Sequence, residues 1–204
     1  MRGNCGPVAD PDAEPVAAPS LDRRTVVIGG SALLAAAGLP ARAATDKPDR
    51  MAPQPGDRIQ IIRGGLKDQV LRPEMLEPGA APSEAFPLDP ATGTLRRANR
   101  LNRLLVLRLD PAEMDEPTRS RSADGVLAYS AICTHRACTV NSWMPEQRHL
   151  RCHCHLSEFA ALSEGSVRGG PARRQLPMVP LGLDGEGFIV AVEGFTRKPG
   201  ADKK

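Results

Sequence analysis

The sequence predicts an all-β protein assembled from short antiparallel strands, and three observations carry that expectation. Runs of four to seven β-branched or aliphatic residues are bounded by Gly, Pro or Asp. The twenty prolines are dispersed and form no polyproline tract. No stretch shows a helical hydrophobic period of useful length. Strands are expected at Gln60 to Arg63, Leu104 to Leu109, Val126 to Ile132 and Phe188 to Val192. Between Arg72 and Arg103 the Pro-rich and Gly-containing chain shows little periodicity, which predicts an irregular excursion with one helical turn near Pro73 to Leu76. No internal repeat is present.

Length and charge narrow the classes further. The 204 residues suit one ordinary domain plus a leader. The net charge of +3 arises from 27 basic and 24 acidic residues spread along the chain, and only six residues are aromatic. No basic run and little stacking surface leave nucleic acid without a footprint.

The leader is expected over residues 1–43. Asp22-Arg23-Arg24-Thr25 precedes an apolar stretch from Val26 to Leu39 and then Ala41-Arg42-Ala43, which reads as a twin-arginine export signal cleaved after Ala43. Retention as a membrane anchor is the alternative, although the apolar stretch is shorter than the roughly 20 residues of a span. Residues 44–55, polar and Pro-rich, read as a linker to a folded body over 56–204. The expected compartment is the periplasm.

The cysteines carry the functional argument. Of five, Cys5 lies in the leader, and the other four form two tight groups with histidines: Cys133-Thr134-His135-Arg136-Ala137-Cys138 and Cys152-His153-Cys154-His155-Leu156-Ser157. Cys and His at short spacing suit an iron-sulfur cluster or a structural zinc, though zinc favours full C-x-x-C or H-x-x-x-H arms.

A C-x-H-x-x-C box followed about fifteen residues later by C-x-C-H resembles the Rieske [2Fe-2S] proteins in ligand order and spacing. The likeness runs from about Ala128 to Val192 and includes Ser157, Phe159, Gly165, Val167 and Gly170-Pro171-Ala172. It implies an antiparallel β sandwich with a small cluster-binding subdomain at about 131–172. It also implies one [2Fe-2S] cluster held by Cys133, His135, Cys152 and His155, with Cys133 and Cys152 on one iron and the histidines on the other. Cys138 and Cys154 then form a disulfide between the two loops. His153 stands where the family commonly has proline and is expected to be a surface residue, not a ligand. His149 is expected in a strand or loop, and Tyr129 and Trp143 as packing residues.

Three departures from the family pattern stand out. Ser157 occupies the position of a hydroxyl donor to a bridging sulfide, but Phe159 stands where the family has a tyrosine donor to a ligand thiolate. Losing that donor is expected to lower the reduction potential. Ala137 and Leu156 replace glycines. The run His155 to Phe159 is similar to the small Rieske subunit of arsenite-oxidase-type enzymes.

The resemblance implies one-electron transfer, with no substrate site of the chain's own, as a periplasmic carrier or small subunit serving a redox partner protein, an oxidoreductase large subunit or a cytochrome. The alternative is the iron-sulfur subunit of a cytochrome bc complex oxidising quinol. A ring-hydroxylating oxygenase component is disfavoured by Cys138, Cys154 and the export signal.

Overall fold

The computed structural model describes residues 47–201, so the leader expected over 1–43 lies outside the described residues. Twelve strands appear among them: β1 (Arg58–Ile61), β2 (Ser83–Asp89), β3 (Thr94–Leu95), β4 (Leu104–Arg108), β5 (Val126–Ser130), β6 (Ser142–Met144), β7 (His149–Cys152), β8 (Ser157–Ala160), β9 (Ser166–Gly169), β10 (Met178–Val179), β11 (Leu181–Leu183) and β12 (Ile189–Ala191). The helix α1 (Glu116–Arg119) is a single turn, capped by the Asp115 carboxylate, which accepts from the Thr118 amide at 2.9 Å.

Two antiparallel sheets result. The larger follows the order β10-β5-β4-β2-β1-β12-β11, with β3 added beside β2. Its two end strands, β10 and β11, are joined in sequence through Pro180 alone, so the sheet curls until its edges nearly meet and few backbone groups are left to recruit a foreign strand. The smaller sheet is β6-β7-β8-β9.

The register of β4 and β5 shows how one sequence covers two cores. Leu104, Val106, Val126 and Ala128 point into the curled sheet with Ile59, Ile61, Val179 and Ile189. Leu105, Leu107, Leu127 and Tyr129 point the other way, against Val140, Leu150, Phe159 and Leu176 of the smaller layer. A strand buried on both faces reads as a continuous apolar run rather than an alternation, as Leu104-Leu105-Val106-Leu107 does. The Tyr129 hydroxyl, in this second core, donates to the Ala161 carbonyl at 2.8 Å, and Trp143 donates to the Gly79 carbonyl at 3.3 Å, so both are packing residues with their polar ends satisfied.

The excursion expected from Arg72 to Arg103 is more ordered than its composition suggests. The helical turn is there as a 3-10 turn over Pro73–Met75, but the segment also holds β2, seven residues long and central to the larger sheet, and β3. Pro87 hid that strand. Its carbonyl accepts from the Arg96 amide, so its missing N–H faces the β3 side, in the gap left between the β4 pairing at Ser83–Ala85 and the β3 pairing at Leu88–Asp89. The described part of the expected linker also packs on the body. Arg96 donates to the Pro48 carbonyl and Asn102 to that of Met51, and the Asp57 carboxylate is held bidentately by the buried Arg96 guanidinium at 2.6 and 2.8 Å.

Candidate metal centre

Both cysteine-histidine boxes sit at one end of the smaller layer, each on a loop whose backbone the sheet fixes. The first box bridges β5 and β6. The Cys133 amide donates to the Cys138 carbonyl at 2.8 Å and the Ala137 amide to the Cys133 carbonyl at 3.0 Å, closing a tight knuckle in which Ala137 takes a φ of 58°. The second box is the turn of the β7–β8 hairpin, closed by the Cys152 to Ser157 pair, and there Leu156 takes a φ of 58°. These are the two positions where the family pattern has glycine. The backbone remains left-handed although the side chains are not suited to it.

The third segment, 170–174, ties the two knuckles together. Gly170 lies so close beneath the second that a Cβ there would stand 2.4 Å from the Leu156 carbonyl oxygen and 2.6 Å from the Ser157 Cα, and its φ is 75°. The Ala172 amide donates to Ser157 Oγ at 3.2 Å, and Ser157 is fully buried. This leaves the Ser157 hydroxyl proton free for another acceptor. On the other side, the Thr134 hydroxyl donates to the Arg174 carbonyl at 2.7 Å. The sequence offers no cue to Thr134, which is the unspecified residue between Cys133 and His135. Only the fold shows that it anchors the first knuckle to the third segment.

The donor groups sort into an inner and an outer set. Cys133 and Cys152 are both 1% exposed and lie in the same apolar core as Phe159. Cys138 and Cys154 lie nearer the surface. Cys133 and Cys154 both lie close enough to Cys152 to shift its thiol, as Cys133, Cys152 and Cys154 do to Cys138. The expected disulfide between Cys138 and Cys154 is not formed here: all four are free thiols, with the sulfurs of Cys138, Cys152 and Cys154 within 4.8 Å of one another. His135 and His155 meet edge to face, with ring centroids 4.6 Å apart and planes at 85°. His155 and His153 are exposed, and His149 lies in β7 facing Glu158 at 3.7 Å.

The electrostatics suit a metal. Burial pushes the Cys152 thiol up to about 12, and the neighbouring Cys133 adds to this. A thiol held so high ionises at neutral pH only against a nearby cation, which a coordinated metal supplies. His135 is held below the ordinary imidazole value, by desolvation first and then by His155 and Arg136. That favours the neutral ring a metal needs. The His135 Nδ1 is buried without a hydrogen-bond partner among the described residues, an orphan that calls for a ligand. Two buried thiols and, on the same two knuckles, two imidazoles in mutual contact, one of them with an unpartnered nitrogen, are the donor types of a mixed-ligand [2Fe-2S] centre; the sulfurs brought closest are those of Cys138, Cys152 and Cys154.

Comparison with known proteins agrees with the geometry. Residues 98–180 match the model of the Rieske [2Fe-2S] domain, whose family binds one [2Fe-2S] cluster. The cytochrome bc1 complex Rieske iron-sulfur subunit of Streptomyces lividans is 34% identical over 98 residues, covering 48% of this chain and 58% of that protein. A putative respiratory nitrate reductase Rieske subunit of Haloferax mediterranei is 35% identical over 101 residues, covering 48% of this chain and 45% of that protein. This chain thus spans about half the length of those relatives. Among solved structures, the plasma membrane Rieske protein of Synechocystis PCC 6803 is 25% identical, covering 54% of this chain and 85% of that one, with a TM-score of 0.35. The matched segment contains both cysteine-histidine boxes and the loop that ties them together, and over those residues the chain matches the Rieske [2Fe-2S] domain.

Proposed function

We propose that this chain transfers single electrons through a Rieske [2Fe-2S] cluster held by Cys133, His135, Cys152 and His155, as a carrier or small subunit serving a partner oxidoreductase or cytochrome. The observation that carries the reading is the pairing of donors. Cys133 and Cys152 are buried in one core, while His135 and His155 meet at its edge, one of them exposed. When bound, a cluster so ligated supplies a one-electron couple, at a potential raised by two imidazoles standing in for two thiolates. The buried thiols keep water from one side of the site. The exposed His155 gives a partner a short path to the other.

Cys138 and Cys154, already adjacent, are the pair we assign to an inter-loop disulfide in an oxidising compartment, worth about 3 kcal/mol on the chain-entropy model. The twin-arginine segment at Arg23-Arg24 supports export to the periplasm.

Single substitutions test the assignment. Cys133→Ser, Cys152→Ser, His135→Ala and His155→Ala should each abolish iron binding in the purified full chain. Cys138→Ser and Cys154→Ser should retain the cluster and lower its thermal stability. Iron lost from the Cys154 variant and kept by the His155 variant would instead favour metal held by Cys138, Cys152 and Cys154.

A second reading, the iron-sulfur subunit of a cytochrome bc complex, is favoured by the name of the Streptomyces relative. There a quinol hydroxyl would donate to exposed His155. Quinol-dependent reduction of a cytochrome c by membranes containing the chain, abolished by its deletion, would select this reading.

A further inference from the structure

The surface beside His135 is a groove of about 740 Å³ lined by Thr134, His135, Arg136, Pro171, Arg173, Arg174 and Ala201. Among the described residues its lining contains three guanidinium groups and no carboxylate. A second hollow of about 390 Å³ shares Ala201 and adds Arg100 and Lys198, again without a carboxylate. The segregation extends along the chain: residues 131–145, 165–183 and 194–201 contain no Asp or Glu.

These cations are placed rather than scattered. Arg174 is fixed by donating to the carbonyls of Lys198 and Gly200, at 3.3 and 2.8 Å. Arg100 donates to the Ala137 carbonyl of the first knuckle. Arg136 and Arg173 are exposed, and neither is within ion-pair distance of a carboxylate among the described residues. Several arginines elsewhere are neutralised, Arg58 by Asp184, Arg96 by Asp57, Arg108 by Asp124 and Arg121 by Glu164. Among the described residues the groove's remaining hydroxyl, that of Thr134, is engaged with the Arg174 carbonyl, so apart from His135 it presents cations rather than reactive groups.

We propose that this arginine-lined groove is the docking surface for an acidic electron-transfer protein, whose surface carboxylates pair with Arg136 and Arg173 and bring its redox group to the histidine edge. The proposal rests on the electron-transfer reading above and adds the charge of the partner. Like charges such as Arg136 and Arg173 around one exit accelerate encounter with an opposite charge, and the gain fades as salt screens it. Guanidinium groups also grip carboxylates bidentately.

The test is stopped-flow oxidation of the reduced, cluster-loaded full chain by two c-type cytochromes of similar potential, one acidic and one basic, across ionic strength. A small uncharged benzoquinone serves as a third oxidant. The acidic cytochrome should react at least tenfold faster at low salt, with a rate that falls as salt rises, on the scale of electrostatic steering. Arg136→Gln/Arg173→Gln should lower that rate about three- to tenfold and flatten its salt dependence. Arg173→Lys, which keeps the charge, should retain most of both. The reduction potential and the benzoquinone rate of Arg173→Gln should be unchanged. Equal rates with both cytochromes, or a salt slope unaltered by the double substitution, would overturn the docking proposal while leaving electron transfer intact. Millimolar phosphate inhibiting at fixed ionic strength where chloride does not would also overturn it, in favour of a small-anion site. Failure of the chain to reduce even benzoquinone would overturn the electron-transfer reading and the docking proposal with it.

Discussion

Phe159 is the residue whose chemistry bears most directly on the redox level. Its ring is fully buried in the core that contains Cys133 and Cys152, so it excludes water from the thiols but offers them no hydrogen bond. Phe159→Tyr should raise the reduction potential. One added hydrogen bond worth roughly 1 kcal/mol more in the reduced state corresponds to about 40 mV. A redox titration of the variant against the parent chain checks this, and an unchanged or lower value would count against the sulfur environment described. Leu156 makes a different point. It is 49% exposed and left-handed, so it gains little from burial and bears the steric cost of its φ. Leu156→Gly should stabilise the domain by about 0.5–1 kcal/mol after allowing for the greater freedom of glycine in the unfolded chain. Thermal unfolding measures it, and a destabilised variant would show that the Leu156 side chain makes contacts worth more than its strain.

At the scale of elements, the site depends on three segments that must meet. Gly170 admits the third segment beneath the second knuckle, and Thr134 fastens it to the first. Gly170→Ala has no room for its Cβ and should displace the 156–157 backbone and strip the cluster, read as lost visible absorbance at unchanged protein yield. Thr134→Val keeps the shape but leaves the Arg174 carbonyl without its donor, at a cost of roughly 1–3 kcal/mol, and should weaken metal retention about tenfold or more. Iron content after dialysis against a chelator reports both variants. Retention equal to that of the parent would remove the third segment from the account. These elements were unequally legible. The apolar runs of β4 and β5 are plain in the sequence because both faces are buried. β2 was masked by Pro87 and by its charged start at Glu84. The smaller sheet was missed because its strands are three or four residues long, so that even the alternation of β7 spans too few residues to stand out.

At the scale of the whole molecule, the curled sheet supplies the rigid body and the smaller layer presents the donors. β4 and β5 serve both by burying one face in each core. The two boxes were legible because ligand chemistry fixes residue type and spacing. What brings them together was legible only in part: Gly170 falls in the Gly170-Pro171-Ala172 run of the likeness, whereas the bond from the Thr134 hydroxyl to the Arg174 carbonyl carries no compositional mark. The charge arrangement was hidden too: a net +3 spread along the sequence gives a groove with no carboxylate among its described lining residues only when the chain folds. The central claim, a cluster ligated by two cysteines and two histidines, is tested most directly by electron paramagnetic resonance during a redox titration of the iron-loaded full chain. The account predicts a reduced-state spectrum typical of mixed Cys/His ligation, appearing at a potential within about −150 to +300 mV. A spectrum typical of four thiolates, titrating near −400 mV, or bound zinc with no signal at all, would contradict it.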